Sequence, residues 1–184
     1  MKKIYTFILP VFIAFTCVNC FKIAPKPATS SSNNTNTTWS LTGKDLALTG
    51  TPSTTSTTEN FTAPGSITWV NYQNVANSTY TLESSNTNSD KSSSTLGLWL
   101  PFNTPSGTLT TTKANGTGTT PADSIYIAVD YTAPNGVSVG FTAVPGQKIT
   151  VTGGSSPSFS VTNLKCTGTY NYTTQDTVYL TGTF

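Results

Sequence analysis

Residues 124–152 read SIYIAVDYTAPNGVSVGFTAVPGQKITVT, and this stretch decides the fold. Ile125, Ile127, Val129 and Tyr131 fall on every second position, as do Val137, Val139, Phe141 and Ala143, and then Ile149 and Val151. A period of two puts each set on one face of a strand, and no set fits the 3.6-residue period of a helix. Turn chemistry separates the rows. Pro134-Asn135-Gly136 supplies the positive φ that a tight hairpin demands, while Pro145-Gly146 and Gly153-Gly154 mark the next reversals. Strands joined this way are expected to form an antiparallel meander.

The same alternation extends in both directions. Leu96, Leu98 and Leu100 share a face, with Gly97 and Trp99 opposite and Pro101 ending the run. Asp45-Leu46-Ala47-Leu48-Thr49, Ser66 to Val70 and Ser78 to Glu83 read as further strands, as do the runs holding Phe159 and Val161. About nine short strands with turns every 8–12 residues predict an all-β domain, an antiparallel β-sandwich, with a closed β-barrel as the alternative. The last hairpin is expected to turn at Thr173-Thr174-Gln175, pairing Tyr170 with Val178, Gly168 with Leu180 and Leu164 with Phe184. A slip of one residue would set Leu180 against polar neighbours.

Before these strands the chain has a different character. Met1-Lys2-Lys3 is a basic head, and the run from Ile4 to Val18, broken by Pro10, is shorter than the ~20 residues that span a bilayer. Residues 1–19 therefore read as a signal peptide. The run closes on Cys17-Val18-Asn19-Cys20 and resembles the lipobox of bacterial lipoproteins. Cys20 is the expected lipidation site, with Cys17 as the other candidate. A lipoprotein cysteine carries two or three acyl chains, and two suffice for stable anchoring. Residues 20–38 hold Asn33-Asn34-Thr35-Asn36-Thr37-Thr38 and few apolar side chains after Ala28, and read as a flexible tether of ~25 Å reach. Residues 39–184 form one domain by length.

Composition narrows function. There is no histidine and no arginine, and past the signal seven lysines face seven carboxylates. A neutral, arginine-free chain lacks the electrostatic footprint for nucleic acid. Without imidazole, the usual zinc sites and His-based triads are out of reach. Charged residues make up 9% and aromatics 11%, which suits a β-protein solubilised by hydroxyls and amides. With Cys17 removed and Cys20 lipidated, Cys166 stands alone in a strand-like run and reads as a packed thiol.

Several C-terminal segments carry a resemblance: Leu98-Trp99-Leu100-Pro101, Gly146 to Thr152, Lys165-Cys166-Thr167-Gly168-Thr169-Tyr170 and Leu180-Thr181-Gly182-Thr183-Phe184. Over residues 95–184 the chain resembles uncharacterised β-rich lipoproteins of Bacteroidota. The resemblance implies a β-fold and a lipid-anchored place in the bacterial envelope, at the outer membrane, and implies no activity. Phe21-Lys22-Ile23 replaces the acidic residues that mark surface export in that group, so the periplasmic and surface faces both stay open.

No stretch concentrates acid, base and nucleophile, so no catalytic residue, metal site or cofactor is expected. The outward aromatics carry more. Trp99, Tyr126 and Tyr179 each stand opposite an inward row and are the candidate binding residues, since a planar ring stacks against the apolar face of a sugar. Asp123-Ser124-Ile125 and Asp176-Thr177-Val178 resemble the Asp-Ser/Thr-aliphatic O-glycosylation site of Bacteroidota, making Ser124 and Thr177 candidate acceptors. The expected object is a monomeric, non-catalytic domain held to a membrane by its lipid, binding a glycan or an envelope protein. The alternative is a structural or adhesive surface protein without a small ligand, and a glycoside-active enzyme comes third.

Overall fold

A computed structural model describes residues 37–63, 70–72, 79–101, 104–113, 120–154, 157–170 and 174–184. The described chain is all-β, as the alternation predicts. Its strands are β1 (Thr37–Gly43), β2 (Thr57–Ala63), β3 (Val70–Tyr72), β4 (Thr79–Thr87), β5 (Ser93–Pro101) and β6 (Gly107–Thr111). They continue with β7 (Ser124–Thr132), β8 (Ser138–Ala143), β9 (Lys148–Thr152), β10 (Ser158–Tyr170) and β11 (Thr174–Thr183).

Nine of these strands pair antiparallel in the order β3-β4-β5-β7-β8-β10-β11-β1-β2. The other two close a ring. β9 pairs with the start of β10, β6 pairs with β9, and β6 runs parallel to the start of β7 at Thr110–Ser124 and Thr111–Ile125. The circuit β7-β8-β10-β9-β6 is a closed five-strand barrel, the alternative architecture, and the β6–β7 pair makes it mixed instead of purely antiparallel. The wings β5-β4-β3 and β11-β1-β2 extend from it, and β2 packs back against β4.

The inward rows are those read from the sequence. Leu96, Leu98 and Leu100 on β5 and Ile125, Ile127, Val129 and Tyr131 on β7 are fully buried, each full burial being worth roughly 1.5–3 kcal/mol for an aliphatic side chain. Trp39 stacks on Phe61 (5.7 Å between centroids), which meets Tyr131 edge-on at 6.2 Å. Both polar tips are satisfied, as buried Trp and Tyr require. Trp39 Nε1 donates to Ser94 Oγ (3.0 Å), and the Tyr131 hydroxyl donates to the Leu46 carbonyl (2.8 Å).

Three local expectations change. The meander stops after one hairpin. Pro134-Asn135-Gly136 does join β7 to β8, with Gly136 at φ +82° and Asn135 bridging to the Ala47 carbonyl. After Pro145-Gly146, however, β9 leaves β8 and pairs with β6 and β10. Gln147 makes this exit stable. Its amide donates to the Lys165 carbonyl (2.8 Å) and accepts from the Lys165 N–H (2.9 Å), so a side chain occupies the hydrogen-bonding place of a strand. Buried Thr111 secures the corner, donating to the Val144 carbonyl and accepting from the Gln147 N–H.

Asp45 to Thr49 is a turn and not a strand. The Asp45 carboxylate accepts from the Thr49 N–H and hydroxyl and from the Gly50 N–H, and Leu48 takes φ +49°. Local side-chain bonding outcompetes the ladder here, while Leu46 and Leu48 still reach the core.

The last hairpin has a different register. Cys166 faces Val178 and Leu164 faces Leu180, with Tyr170 opposite Thr174. A shift by an even number keeps every side chain on its face, so alternation fixes register only modulo two. A bulge between Val161 and Leu164, with Asn163 at φ +53°, then brings Phe159 opposite Phe184. Their backbones exchange two hydrogen bonds (2.6 and 2.8 Å) and their rings lie 5.4 Å apart.

Candidate functional site

The antiparallel register of β5 and β7 sets Trp99 opposite Tyr126. The two rings meet at 5.0 Å, tilted by 47°. Both are half-buried. The six-membered part of the Trp99 indole lies against the α-carbon of Gly97, in the space a β-carbon at that position would need. Gly97 therefore lets the indole lie down along its own strand, and Tyr126 borders it from the next. Burial, and then the Asp130 carboxylate four residues further along β7, push the Tyr126 phenol upward in pKa.

Tyr179 lies elsewhere, on β11 between Thr42 of β1 and Lys165 of β10. At 41% exposure it is the one exposed large hydrophobic side chain among the described residues. So two of the three aromatic candidates come together, and the third stands on the other wing.

Tyr179 is not isolated chemically. Thr181 and Thr183 follow it on the same face of β11, and a groove of about 430 Å³ opens there across β10, β11, β1 and β2. Ser40, Asn60, Thr62, Ser160, Thr181 and Thr183 line it with hydroxyls and one amide. Alternation could have found these residues, since each stands opposite an inward apolar neighbour. What the sequence does not display is that four strands far apart in the chain set them side by side.

The candidate glycosylation positions both lie in strands. Ser124 opens β7, opposite Thr110, and is half-buried. Thr177 is half-buried within β11, opposite Thr167, and its N–H donates to Asp176 Oδ1 (3.1 Å). Cys20 and the tether before Thr37 lie outside the described residues.

The titratable groups are committed locally. Cys166 is fully buried, and burial pushes its thiol up to about 12, far from a nucleophile's range. Glu59 is raised by burial and then by the nearby Asp90 charge, against a hydrogen bond from Asn88 that lowers it. Asp90 is lowered by the Ser92 hydroxyl (2.7 Å) and N–H (2.9 Å), which bind it into the β4–β5 turn. Asp176 is raised, first by burial. None of these carboxylates lines the groove. Among the described residues no three His, Cys, Asp or Glu side chains are grouped to hold a metal ion.

No protein-family model, no curated protein and no solved structure matches this chain. The class that fold and surface define is therefore read from the molecule itself: an all-β domain, barrel-centred, with aromatic rings and hydroxyl groups on its outer face.

Proposed function

We propose that this protein is a lipid-anchored, non-catalytic glycan-binding domain of a bacterial envelope, held to its membrane through Cys20. The observation that carries the reading is the Trp99–Tyr126 pair, a two-ring apolar surface on the outer face of β5 and β7. Such a surface matches the apolar face of a pyranose, while Thr and Asn groups meet its hydroxyls. The test is a glycan array probed with the full chain and with Trp99→Ala. Loss of binding by a variant that still melts cooperatively supports the reading, an unchanged array pattern removes the Trp99–Tyr126 pair as the site, and an array on which the wild-type chain binds nothing removes the reading. The anchor is tested separately: Cys20→Ser is expected to release the protein from the membrane fraction, and retention there would contradict lipidation at Cys20.

A second reading, a structural or adhesive surface protein without a small ligand, draws on one observation. The Trp99 indole covers Gly97, and a ring that shields a strand glycine serves the sheet itself. On that reading Trp99→Ala lowers the melting temperature and the wild-type chain binds no glycan.

A further inference from the structure

We propose that the groove across the outer face of β10, β11, β1 and β2 is a binding site for an uncharged oligosaccharide, with Tyr179 as its stacking ring. The proposal rests on the glycan reading but concerns a different wing from Trp99 and Tyr126.

Four observations converge on it. The groove's volume, about 430 Å³, falls in the range of small-ligand sites, roughly 300–1,000 Å³. Its lining holds no charged side chain. A uronate, phosphate or sulfate would find no counter-charge inside it, since Lys165 stands beside Tyr179 and outside the lining, whereas hydroxyls and amides both donate to and accept from sugar hydroxyls. The lining hydroxyls are also partly oriented. Thr181 Oγ1 accepts from the Asn163 N–H (3.0 Å), which leaves its own O–H to donate outward, and Ser160 and Thr183 share a hydrogen bond (3.0 Å).

That Thr181 contact depends on the β10 bulge, where Asn163 holds φ +53°. A bulge bends its strand and re-aims side chains, and asparagine is among the residues that take the left-handed region most readily. The third observation is thus this orientation of lining hydroxyls, with Asn163 acting on Thr181 from beside the groove. The fourth is Tyr179, two residues from Thr181 on the same face, exposed and flanked by Thr42 and Lys165. A sugar lying over Thr181 would continue onto the Tyr179 ring.

The test is calorimetric titration of the full chain in detergent micelles. The probes are hexasaccharides of glucose, mannose, galactose and N-acetylglucosamine, with a galacturonate hexamer as the charged comparison. At least one neutral hexamer is expected to bind and the uronate not to. Tyr179→Ala is expected to weaken binding about tenfold, as loss of a ring contact does, and Asn60→Ala about fivefold, as loss of one hydrogen bond does. Ser40→Tyr, which fills the middle of the groove, is expected to abolish it. The first two variants alter exposed side chains and keep the test decisive even where Ser40→Tyr disturbs folding. Neutral binding that none of these variants changes, but that Trp99→Ala removes, overturns the groove and leaves the glycan reading standing. No binding of any neutral hexamer overturns both, and preference for the uronate overturns the neutral ligand class.

Discussion

The two wings of the sheet carry outward aromatic rings in opposite ways. On β5 and β7 the Trp99 indole lies down on Gly97 and against Tyr126, so that both rings are half-buried and belong partly to the fold. On β11 Tyr179 is exposed, two residues along the strand from Thr181 in the wall of a hydroxyl-lined groove. An outward ring that is packed contributes to stability whether or not it binds anything. A ring left exposed contributes little to the fold, so its removal reads out binding with little effect on stability.

The strongest way to break this contrast is to remove Thr181–Phe184. Thr181, Gly182 and Thr183 wall the groove, while Phe184 pairs with Phe159 and is buried in the core both wings share. The truncated chain is expected to lose its cooperative thermal transition. A cooperative melt would mean that the groove wing is an appendage. Gln147→Ala comes next. It leaves the Lys165 N–H without its acceptor at the corner where β9 departs, while the Lys165 carbonyl keeps the Val144 N–H (2.9 Å), and a loss of about 1–3 kcal/mol is expected in urea denaturation. An unchanged midpoint would show that Thr111 and the Val144–Lys165 backbone bond hold the corner without it.

Cys166 lies between the wings, where β10 meets β8. Its folded pKa is raised from 9.0 to about 12, so the unfolded thiol releases its proton first as pH rises. The associated stability is fully present below pH 9 and is lost between 9 and about 12, at about 1.4 kcal/mol per pH unit. Denaturation curves at pH 8, 9 and 10 should show this decline, and Cys166→Ala should remove its part of the slope between 9 and 10. A wild-type thiol that reacts with a disulfide reagent at pH 8 without denaturant would contradict the burial.

The smallest effects separate the wings most cleanly. Trp99→Ala is expected to cost about 1–2 kcal/mol, from lost ring packing and half-burial. Tyr179→Ala is expected to stay within about 0.5 kcal/mol, as exposed substitutions do. Equal costs at the two positions would erase the distinction.

Much of this was legible in the sequence. The inward rows of β5, β7, β8, β9 and β10 follow from alternation, because a half-buried strand has only two faces to fill. The outward placement of Trp99, Tyr126 and Tyr179 follows from the same rule. What alternation does not carry is pairing. Nothing in Pro145-Gly146-Gln147 distinguishes a hairpin from an exit to another strand until Lys165 arrives opposite the Gln147 amide. The even shift at Leu164–Leu180 is invisible to a period of two, and the Asn163 bulge resets that period from within. The meeting of Trp99 with Tyr126, and of Ser40 with Thr181, depends on those registers, so the residues were readable and the site was not.

The most direct test of the central claim, that the outer face binds a neutral glycan, is an amide chemical-shift titration of the full chain in detergent micelles with the neutral hexasaccharides. The account predicts saturable shifts confined to outward positions, around Trp99 and Tyr126 on one wing and around Tyr179, Thr181 and Ser40 on the other. Spectra that do not change with any neutral hexasaccharide, or shifts that fall at neither wing, would contradict it.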